Sequence, residues 1–278
     1  MADTPSRPPE IAFIGGGNMA RSLVGGLVAR GTAPVGIRVA EPVDTLRDAL
    51  AADFGVRTFA SADAAVTGAG VWLLAVKPQV MRTVCADLQA IAQAQRPLVV
   101  SIAAGITATQ LDRWLGGGLA VVRAMPNTPA LLGAGVTGLF ANERVDAAQR
   151  ERADALLGAV GPTVWIDDEA LMDAVTAVSG SGPAYVFLLA EAMQRAGEAQ
   201  GLDARAARAL VQQTLLGASR MLVEQDEPAE VLRARVTSPG GTTQAAIETF
   251  EAGGLRALVE RALDAATRRG RELSAAND

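Results

Sequence analysis

Histidine is absent from this chain of 278 residues. Its absence excludes Ser-His-Asp and Cys-His nucleophiles, histidine metal sites, and histidine as a general acid or base. The chain has one cysteine, Cys85. A single cysteine excludes an internal disulfide and a thiolate metal cluster and is typical of a reducing compartment, so we expect a cytoplasmic protein without a metal. Catalysis would have to rely on a positioned cofactor, or on hydroxyl, lysine or carboxylate groups.

The chain also lacks a basic charge excess and long apolar runs. The formal net charge of −5 gives no reason to expect nucleic acid or an anionic membrane as a partner. No apolar run in the sequence is long enough to span a membrane. The polar, proline-rich start does not resemble a signal peptide, and we expect residues 1–9 to be a short disordered lead-in. The length is sufficient for two domains.

The first recognisable pattern is a short apolar strand, residues 11–14, followed by Gly-Gly-Gly-Asn-Met-Ala and a helical pattern. This is the G-x-G-x-x-A form of the dinucleotide-binding fingerprint in its strand–turn–helix setting. In that interpretation Gly15 permits the tight turn and Gly17 allows close approach of a pyrophosphate. Ala20 lets the helix pack on the strand.

Apolar strands and helical segments alternate after this motif, which predicts a parallel sheet covered on both faces. The predicted strands are residues 36–40, 71–76, 98–102 and 119–123, with later strands of the same sheet at 137–140 and 160–166. The predicted helices between them are residues 43–53, 79–93 and 107–115. We therefore expect an α/β fold with an N-terminal Rossmann-type domain over residues 1–167.

Ligands of such sheets bind at the carboxyl ends of the strands, where several polar residues stand. Glu41 follows the second strand and either accepts hydrogen bonds from an adenosine ribose, which favours NADH, or ends a solvated strand. Arg38 and Arg47 are the residues that would meet a 2′-phosphate instead. Lys77 is either a solvated cation or a cofactor contact. Asn127 either braces its own turn or contacts the cofactor.

The pattern changes to helices after residue 167, and we expect an all-α domain over residues 168–278. Helices are predicted at residues 169–178, 184–200, 204–223, 228–235 and 254–274, with an interruption at 179–183. Residues 186–189 are consecutive apolar side chains. A helix that is apolar nearly all round is buried, which favours a homodimer formed through this domain over a monomeric bundle.

The most informative stretch is residues 236–248, where Ser-Pro-Gly-Gly-Thr-Thr precedes a helical pattern. The turn at Pro239, Gly240 and Gly241 allows close approach of the backbone to a ligand. A helix start offers unpaired N–H groups and the positive end of a dipole, so it can bind a small carboxylate without arginine. The alternative is an ordinary helix N-cap after a tight turn.

Taken together, these motifs make the chain resemble the pyrroline-5-carboxylate reductase family. The matching segments occur in the family's order and cover essentially the whole chain: residues 14–20, 75–79, 100–105, 123–130, 177–187 and 236–243. The Ser-Gly-Ser-Gly-Pro-Ala-Tyr and Ser-Pro-Gly-Gly-Thr-Thr segments are far more specific than the glycine fingerprint, which many oxidoreductases share.

The resemblance implies a Rossmann domain followed by a helical dimerisation domain, with dimers built into larger assemblies. It implies reduction of L-1-pyrroline-5-carboxylate to L-proline by NADH or NADPH, the last step of proline biosynthesis. Thr243 is implied as the catalytic hydroxyl near the substrate nitrogen. The implied substrate-binding residues are Glu169, Ser238, Gly240, Gly241, Thr242 and Thr243. The implied cofactor-binding residues are Ile14, Gly15, Gly16, Gly17, Asn18, Met19, Glu41, Ala75, Val76, Lys77, Pro78, Ala103, Ala104 and Asn127.

This chemistry needs neither a nucleophile nor a metal, because hydride adds directly to C5 of the imine once its nitrogen is protonated. Two rivals stay open: a reductase of the same architecture for another substrate, such as a larger cyclic imine, and a dinucleotide-binding regulator without catalysis. A hydroxy-acid reductase would generally use a lysine in the helical domain, and residues 169–278 contain none. A regulator would have no need of a substrate carboxylate site.

Overall fold

A computed structural model describes residues 10–277; the lead-in expected at residues 1–9 and the last residue lie outside this range. The described chain contains an eight-stranded sheet with the order β3-β2-β1-β4-β5-β6-β7-β8. Its strands are β1 Ile11–Ile14, β2 Ile37–Ala40, β3 Arg57–Phe59, β4 Val71–Leu74, β5 Leu98–Ser101, β6 Ala120–Met125, β7 Thr137–Ala141 and β8 Thr163–Trp165. The predicted Rossmann-type sheet is confirmed.

Helices alternate with these strands, as the sequence predicts. They are α1 Asn18–Ala29, α2 Asp44–Phe54, α3 Ala62–Val66, α4 Pro78–Gln95, α5 Ala108–Trp114 and α6 Ala147–Leu157. The sequence pattern did not predict β3, α3 or α6. The first two are only three and five residues long, too short for a clear apolar period. Helix α6 begins at a capping box between Asp146 and Gln149.

The sheet is not parallel throughout, which corrects the prediction. Strands β1 to β6 are parallel, but β7 pairs with β6 in antiparallel register, with Arg123 opposite Phe140 and Met125 opposite Gly138. The connection between β6 and β7 holds only a short 3₁₀ turn, Thr128–Leu132. A parallel crossover needs a longer connection, usually a helix, so the chain turns back instead.

Alternate residues of the same strands build two apolar layers, one on each face of the sheet. One layer contains Phe13 and Leu73, and α1 covers it; the other contains Trp72 and Leu74, and α4 covers it. Cys85 lies in the second layer, where burial raises the pKa of its thiol to about 12. The thiol is therefore uncharged at neutral pH.

The contacts within the chain define two compact units. Of the described residues, the first unit contains those up to Ser181 together with those from Ala266 onward, and the second is Gly182–Ala265. The helices after the sheet are α7 Met172–Val175, α8 Gly182–Ala199, α9 Ala204–Glu224, α10 Ala229–Arg235, α11 Thr242–Ala252 and α12 Leu255–Ala276. This division differs from a boundary at residues 167/168, because residues 168–181 and the end of α12 pack with the sheet. The domain boundary stays a prediction.

The structure has an interruption between two helices near the predicted residues 179–183, but it lies earlier, as a π-helical turn at Thr176–Gly180, and α8 begins at Gly182. The chain passes from a 3₁₀ turn, Glu169–Leu171, through α7 into a π-helix, Thr176–Gly180. The N–H of Ser181 donates to the carbonyl of Thr176 at 2.8 Å, which is the wider hydrogen bond of such a turn. Turns of this kind often mark functional sites.

The helical unit exposes many large apolar side chains. Phe187 and Leu188 of α8 are 67% and 66% exposed, and Val223 at the end of α9 is 86% exposed. Exposed apolar surface of this extent is typical of a surface that another protein chain covers. No helix in the described part of the chain is long and apolar enough to cross a membrane.

Candidate active site

The turn after β1 requires glycine at its first position. Gly15 has φ of +104°, and a Cβ there would lie 2.8 Å from the carbonyl oxygen of Ala75. The Gly15 N–H donates to the carbonyl of Ala40 at 2.9 Å, and the Ala75 N–H donates to the carbonyl of Ile14 at 2.8 Å. These hydrogen bonds therefore hold the carboxyl ends of β2 and β4 on either side of the carboxyl end of β1.

The last glycine of the turn faces open space. Gly17 is the N-cap of α1, and a Cβ at this position would have no atom within 4 Å. Among the described residues, no side chain caps the N-terminus of this helix. Ala20 is fully buried against the sheet, as the fingerprint predicts. An uncapped helix start with room in front of it is suited to bind a phosphate. Asn18 and Met19 form the first turn of this helix.

The carboxylate of Glu41 is turned into the protein. Its Oε2 accepts the N–H of Gly16 at 3.0 Å, and its Oε1 accepts the N–H of Val43 at 3.0 Å. The residue is only 8% exposed. Arg47 donates to the main-chain carbonyls of Glu41 and Pro42 at 2.8 and 2.9 Å.

Arg38 has a different environment from Arg47. Its side chain is largely buried, pairs with Glu10, and donates to the carbonyls of Ala65 and Thr67. These partners hold the guanidinium of Arg38 beside α3. Of the two arginines that the sequence offered to a 2′-phosphate, only Arg47 lies at the carboxyl end of β2.

The other predicted cofactor residues follow β4, β5 and β6. Ala75 and Val76 are half-buried, whereas Lys77 is exposed and precedes Pro78, the first residue of α4. Ala103 is buried and Ala104 half-buried after β5. Because β1, β4, β5 and β6 are parallel, these loops lie on the same edge of the sheet as the glycine turn.

Asn127 braces the loop after β6. Its Oδ1 accepts the N–H of Val136 at 3.0 Å, and its Nδ2 donates to the carbonyl of Ser179 at 3.2 Å. The Asn127 side chain therefore does brace the loop, as one of the two alternatives expects. Its partners are Val136 and the π-helical turn, not the next residues of its own turn. A cofactor contact of Asn127 stays a prediction.

A buried charge cluster lies next to this loop, and the sequence analysis missed it. Arg123 of β6 is 3% exposed; its two terminal nitrogens lie 3.6 Å from Glu169 Oε1 and 3.2 Å from Asp173 Oδ1. Glu169 Oε1 also accepts the N–H of Ala108, the first residue of α5, at 2.6 Å. The sequence signal for this cluster was Arg123, a charged residue in an otherwise apolar strand. A buried guanidinium is stable only when carboxylates or other acceptors pair with it.

The end of α12 packs beside this cluster. A Cβ on Gly270 would lie 3.2 Å from Asp173 Cβ, so glycine lets the helix approach closely. Gln110 of α5 donates to the carbonyl of Ser274 at 3.1 Å, and Asn277 donates to the carbonyl of Gly105 at 3.1 Å. These contacts explain why the end of α12 belongs to the sheet unit.

The Ser-Pro-Gly-Gly-Thr-Thr segment forms the predicted turn and helix start in the helical unit. The Gly241 N–H donates to the carbonyl of Ser238 at 3.0 Å, and Gly240 has φ of +71°. The Gly240 N–H donates to Gln244 Oε1 at 2.7 Å. Thr242 begins α11 and is exposed, and Thr243 is half-buried.

At this helix start, backbone donors and hydroxyls stand together. Gly241 is the N-cap of α11, and in the described chain no side chain caps that helix. A Cβ on Gly241 would lie 2.7 Å from Ser238 Oγ, so a side chain there would displace the serine hydroxyl. The arrangement is suited to bind a small carboxylate. Within residues 10–277, no cluster of three or more acidic or cysteine side chains is placed to hold a metal ion.

Comparison with known proteins assigns the family. Residues 169–273 match the model described as pyrroline-5-carboxylate reductase dimerisation, and residues 10–105 match the model described as NADP oxidoreductase coenzyme F420-dependent. The pyrroline-5-carboxylate reductase of Pseudomonas aeruginosa is 55% identical over 269 residues, which cover 96% of this chain and 97% of that protein. The chain belongs to the pyrroline-5-carboxylate reductase family.

Solved structures of pyrroline-5-carboxylate reductases have the same fold. The enzyme of Coxiella burnetii superposes with a TM-score of 0.93 at 45% identity, covering 96% of this chain and 99% of that chain. The enzyme of Plasmodium falciparum, solved with NADP bound, superposes with a TM-score of 0.84 at 26% identity, covering 96% of this chain and 98% of that chain. The resemblance stated from the motifs is therefore confirmed, and so is the order of a sheet domain followed by a helical dimerisation domain.

Proposed function

We propose that this pyrroline-5-carboxylate reductase family member reduces L-1-pyrroline-5-carboxylate to L-proline with a nicotinamide dinucleotide. The observation that carries the proposal is 55% identity to a protein of that name over 96% of the chain. The two uncapped helix starts, α1 in the sheet unit and α11 in the helical unit, support it. They are suited to a diphosphate and to a carboxylate respectively.

The residues of the sheet edge fit a dinucleotide. The space in front of Gly17 and the free start of α1 suit its diphosphate, with Ile14, Asn18 and Met19 at the same turn. The residues 75–78, 103–104 and Asn127 line the same edge. The relative from Plasmodium falciparum was solved with NADP, which supports a nicotinamide cofactor. The preference for NADH that Glu41 suggests stays a prediction.

In the proposed mechanism the residues of α11 bind and orient the substrate. The hydroxyl of Ser238 and the N–H and hydroxyl of Thr242 hold its carboxylate, in the turn that Gly240 and Gly241 form, and the Thr243 hydroxyl hydrogen-bonds the ring nitrogen. The nicotinamide supplies the hydride that adds to C5. A threonine hydroxyl is too weak an acid to protonate the imine alone, so the protonated imine binds or a water relays the proton. Glu169 stays a proposed substrate-binding residue, which the family resemblance alone supports.

We further propose a homodimer through the helical unit, assembled into a larger oligomer. The exposed apolar side chains of α8 and α9 and the match of residues 169–273 to a dimerisation domain support the dimer. We also propose a cytoplasmic location, on the argument from the single cysteine.

The proposed reaction is tested by the loss of nicotinamide absorbance with pyrroline-5-carboxylate, run in parallel with NADH and NADPH. We expect rapid oxidation with proline as the product, and the ratio of the two rates gives the cofactor preference. A folded protein that binds a cofactor but oxidises neither with this substrate would contradict the proposal. A larger cyclic imine in the same assay then separates an imine reductase of other specificity from a regulator.

Replacing Thr243 with alanine is expected to lower kcat/KM about 10- to 30-fold, since a hydrogen bond to a charged group contributes roughly 1.5–2 kcal/mol. Cofactor affinity should stay nearly unchanged. The matched control is Thr249→Ala on the same helix, whose hydroxyl bonds only the carbonyl of Ala245 at 2.9 Å among the contacts given for it. Unchanged kinetics for Thr243→Ala would remove this hydroxyl from the mechanism.

A further inference from the structure

We infer that Glu41 is a positioning residue for the glycine turn and does not select between NADH and NADPH. The inference rests on the proposed dinucleotide cofactor. An acidic residue at the end of the second strand would usually be expected to accept hydrogen bonds from the adenosine ribose and so to favour NADH. In this chain the carboxylate of Glu41 instead binds main-chain N–H groups of the protein itself.

Both carboxylate oxygens of Glu41 are already bound to main-chain N–H groups. One oxygen accepts the Gly16 N–H in the glycine turn, and the other accepts the Val43 N–H before α2, each at 3.0 Å. Hydrogen bonds to an ionised carboxylate are stronger than those between neutral groups. The side chain therefore joins the turn after β1 to the turn after β2.

The packing around the carboxylate keeps it in this position. A Cβ on Gly16 would lie 3.1 Å from Glu41 Cβ and 2.7 Å from Leu50 Cδ1, so the turn lies directly against the glutamate. The Glu41 N–H donates to the carbonyl of Phe59 at 3.0 Å, and Arg47 donates to its carbonyl at 2.8 Å. Main chain and side chain are both held, and the residue is 8% exposed.

Specificity follows from where the carboxylate points. The glycine turn precedes Gly17 and the uncapped start of α1, which are suited to the diphosphate. NADH and NADPH share that diphosphate and differ only at the ribose 2′ position. A residue that acts through the turn therefore contributes equally to the affinities for both cofactors, whereas a residue that reads the ribose changes their ratio.

The experiment measures binding of NADH and of NADPH to the intact protein by nicotinamide fluorescence, without substrate. Glu41→Asp keeps the charge but shortens the side chain, and Glu41→Gln keeps one acceptor while placing an NH₂ group against the other N–H. We expect each variant to weaken the binding of NADH and of NADPH by a similar factor of about ten. The ratio of the two Kd values should stay that of the unmodified protein.

Asp48→Asn is the matched charge control, because Asp48 is an exposed acid of the same helix α2 and has no bond to the glycine turn or to Arg47 among the contacts given for it. It should leave both Kd values within about twofold. Thermal unfolding with each variant shows that the binding is measured on folded protein. A merely structural role would lower Tm without changing either Kd.

Two results would overturn the inference. If Glu41→Gln weakened NADH but strengthened NADPH, the carboxylate would be a ribose reader that repels the 2′-phosphate. If neither Kd changed in the folded variants, the brace would have no part in cofactor binding. Failure of the proposed function is distinguishable, because the unmodified protein would then bind neither cofactor, or bind one without reducing pyrroline-5-carboxylate.

Discussion

Replacing Arg123 with methionine is expected to lower the free energy of unfolding by about 3–5 kcal/mol. The guanidinium is almost fully buried and lies within 3.6 Å of Glu169 and 3.2 Å of Asp173. Methionine fills a similar volume, so the loss is mainly electrostatic: the buried carboxylate of Asp173 and the half-buried carboxylate of Glu169 remain without their counterion. This is one of the two largest effects that we expect from a single substitution.

The substitution should also loosen the elements that the cluster connects. Glu169 binds the first N–H of α5, and Asp173 lies against Gly270 of α12. A repelled pair of carboxylates would disturb both contacts. Thermal and urea unfolding measure the effect, and a fall in Tm of roughly 5–15 °C is expected.

The control is Arg30→Met, the same substitution at an exposed position at the end of α1. It should change stability by no more than about 0.5 kcal/mol, as is usual for surface positions. Adding Asp173→Asn and Glu169→Gln to Arg123→Met should recover part of the loss, because the unpaired charges are then removed. Equal stability of Arg123→Met and the unmodified protein would contradict the assigned pairing.

Replacing Gly17 with valine should reduce the affinity for NADH and NADPH by at least about 100-fold, since two lost charge-assisted hydrogen bonds of roughly 1.5–3 kcal/mol each would suffice. Gly17 has φ of −67°, which any residue adopts, and a Cβ there meets no atom within 4 Å. The protein should therefore accept the side chain. The valine would instead fill the space in which the diphosphate is proposed to bind.

Gly15→Ala, a substitution in the same turn, is expected to affect stability as well as cofactor binding, unlike Gly17→Val. Its Cβ would lie 2.8 Å from the carbonyl oxygen of Ala75 at a φ of +104°, so it should lower Tm as well as cofactor affinity. Gly17→Val should lower affinity alone. Measurement of both quantities for both variants separates them, and full cofactor affinity in folded Gly17→Val would place the diphosphate elsewhere.

The local features of this protein were predictable from the sequence. The strand at residues 11–14, the glycine turn, the start of α1 and the start of α11 depend on neighbouring residues: apolar period, glycine placement and capping. The segments at residues 177–187 and 236–243 identified the family because they are far more specific than the glycine fingerprint. The lengths of the helices α8, α9 and α12 also followed closely from local patterns.

Only the tertiary structure decided which partners the buried polar groups take. Glu41 and Gly16 are 25 residues apart, Arg123 and Asp173 are 50 apart, and Ala108 and Glu169 are 61 apart. No local period encodes such pairs, because the sheet order brings them together and burial then forces them to bond. The same reason applies to the antiparallel β7 and to the end of α12 on the sheet unit. Sequence determines which groups can bind a ligand, and long-range packing determines which of them remain available to do so.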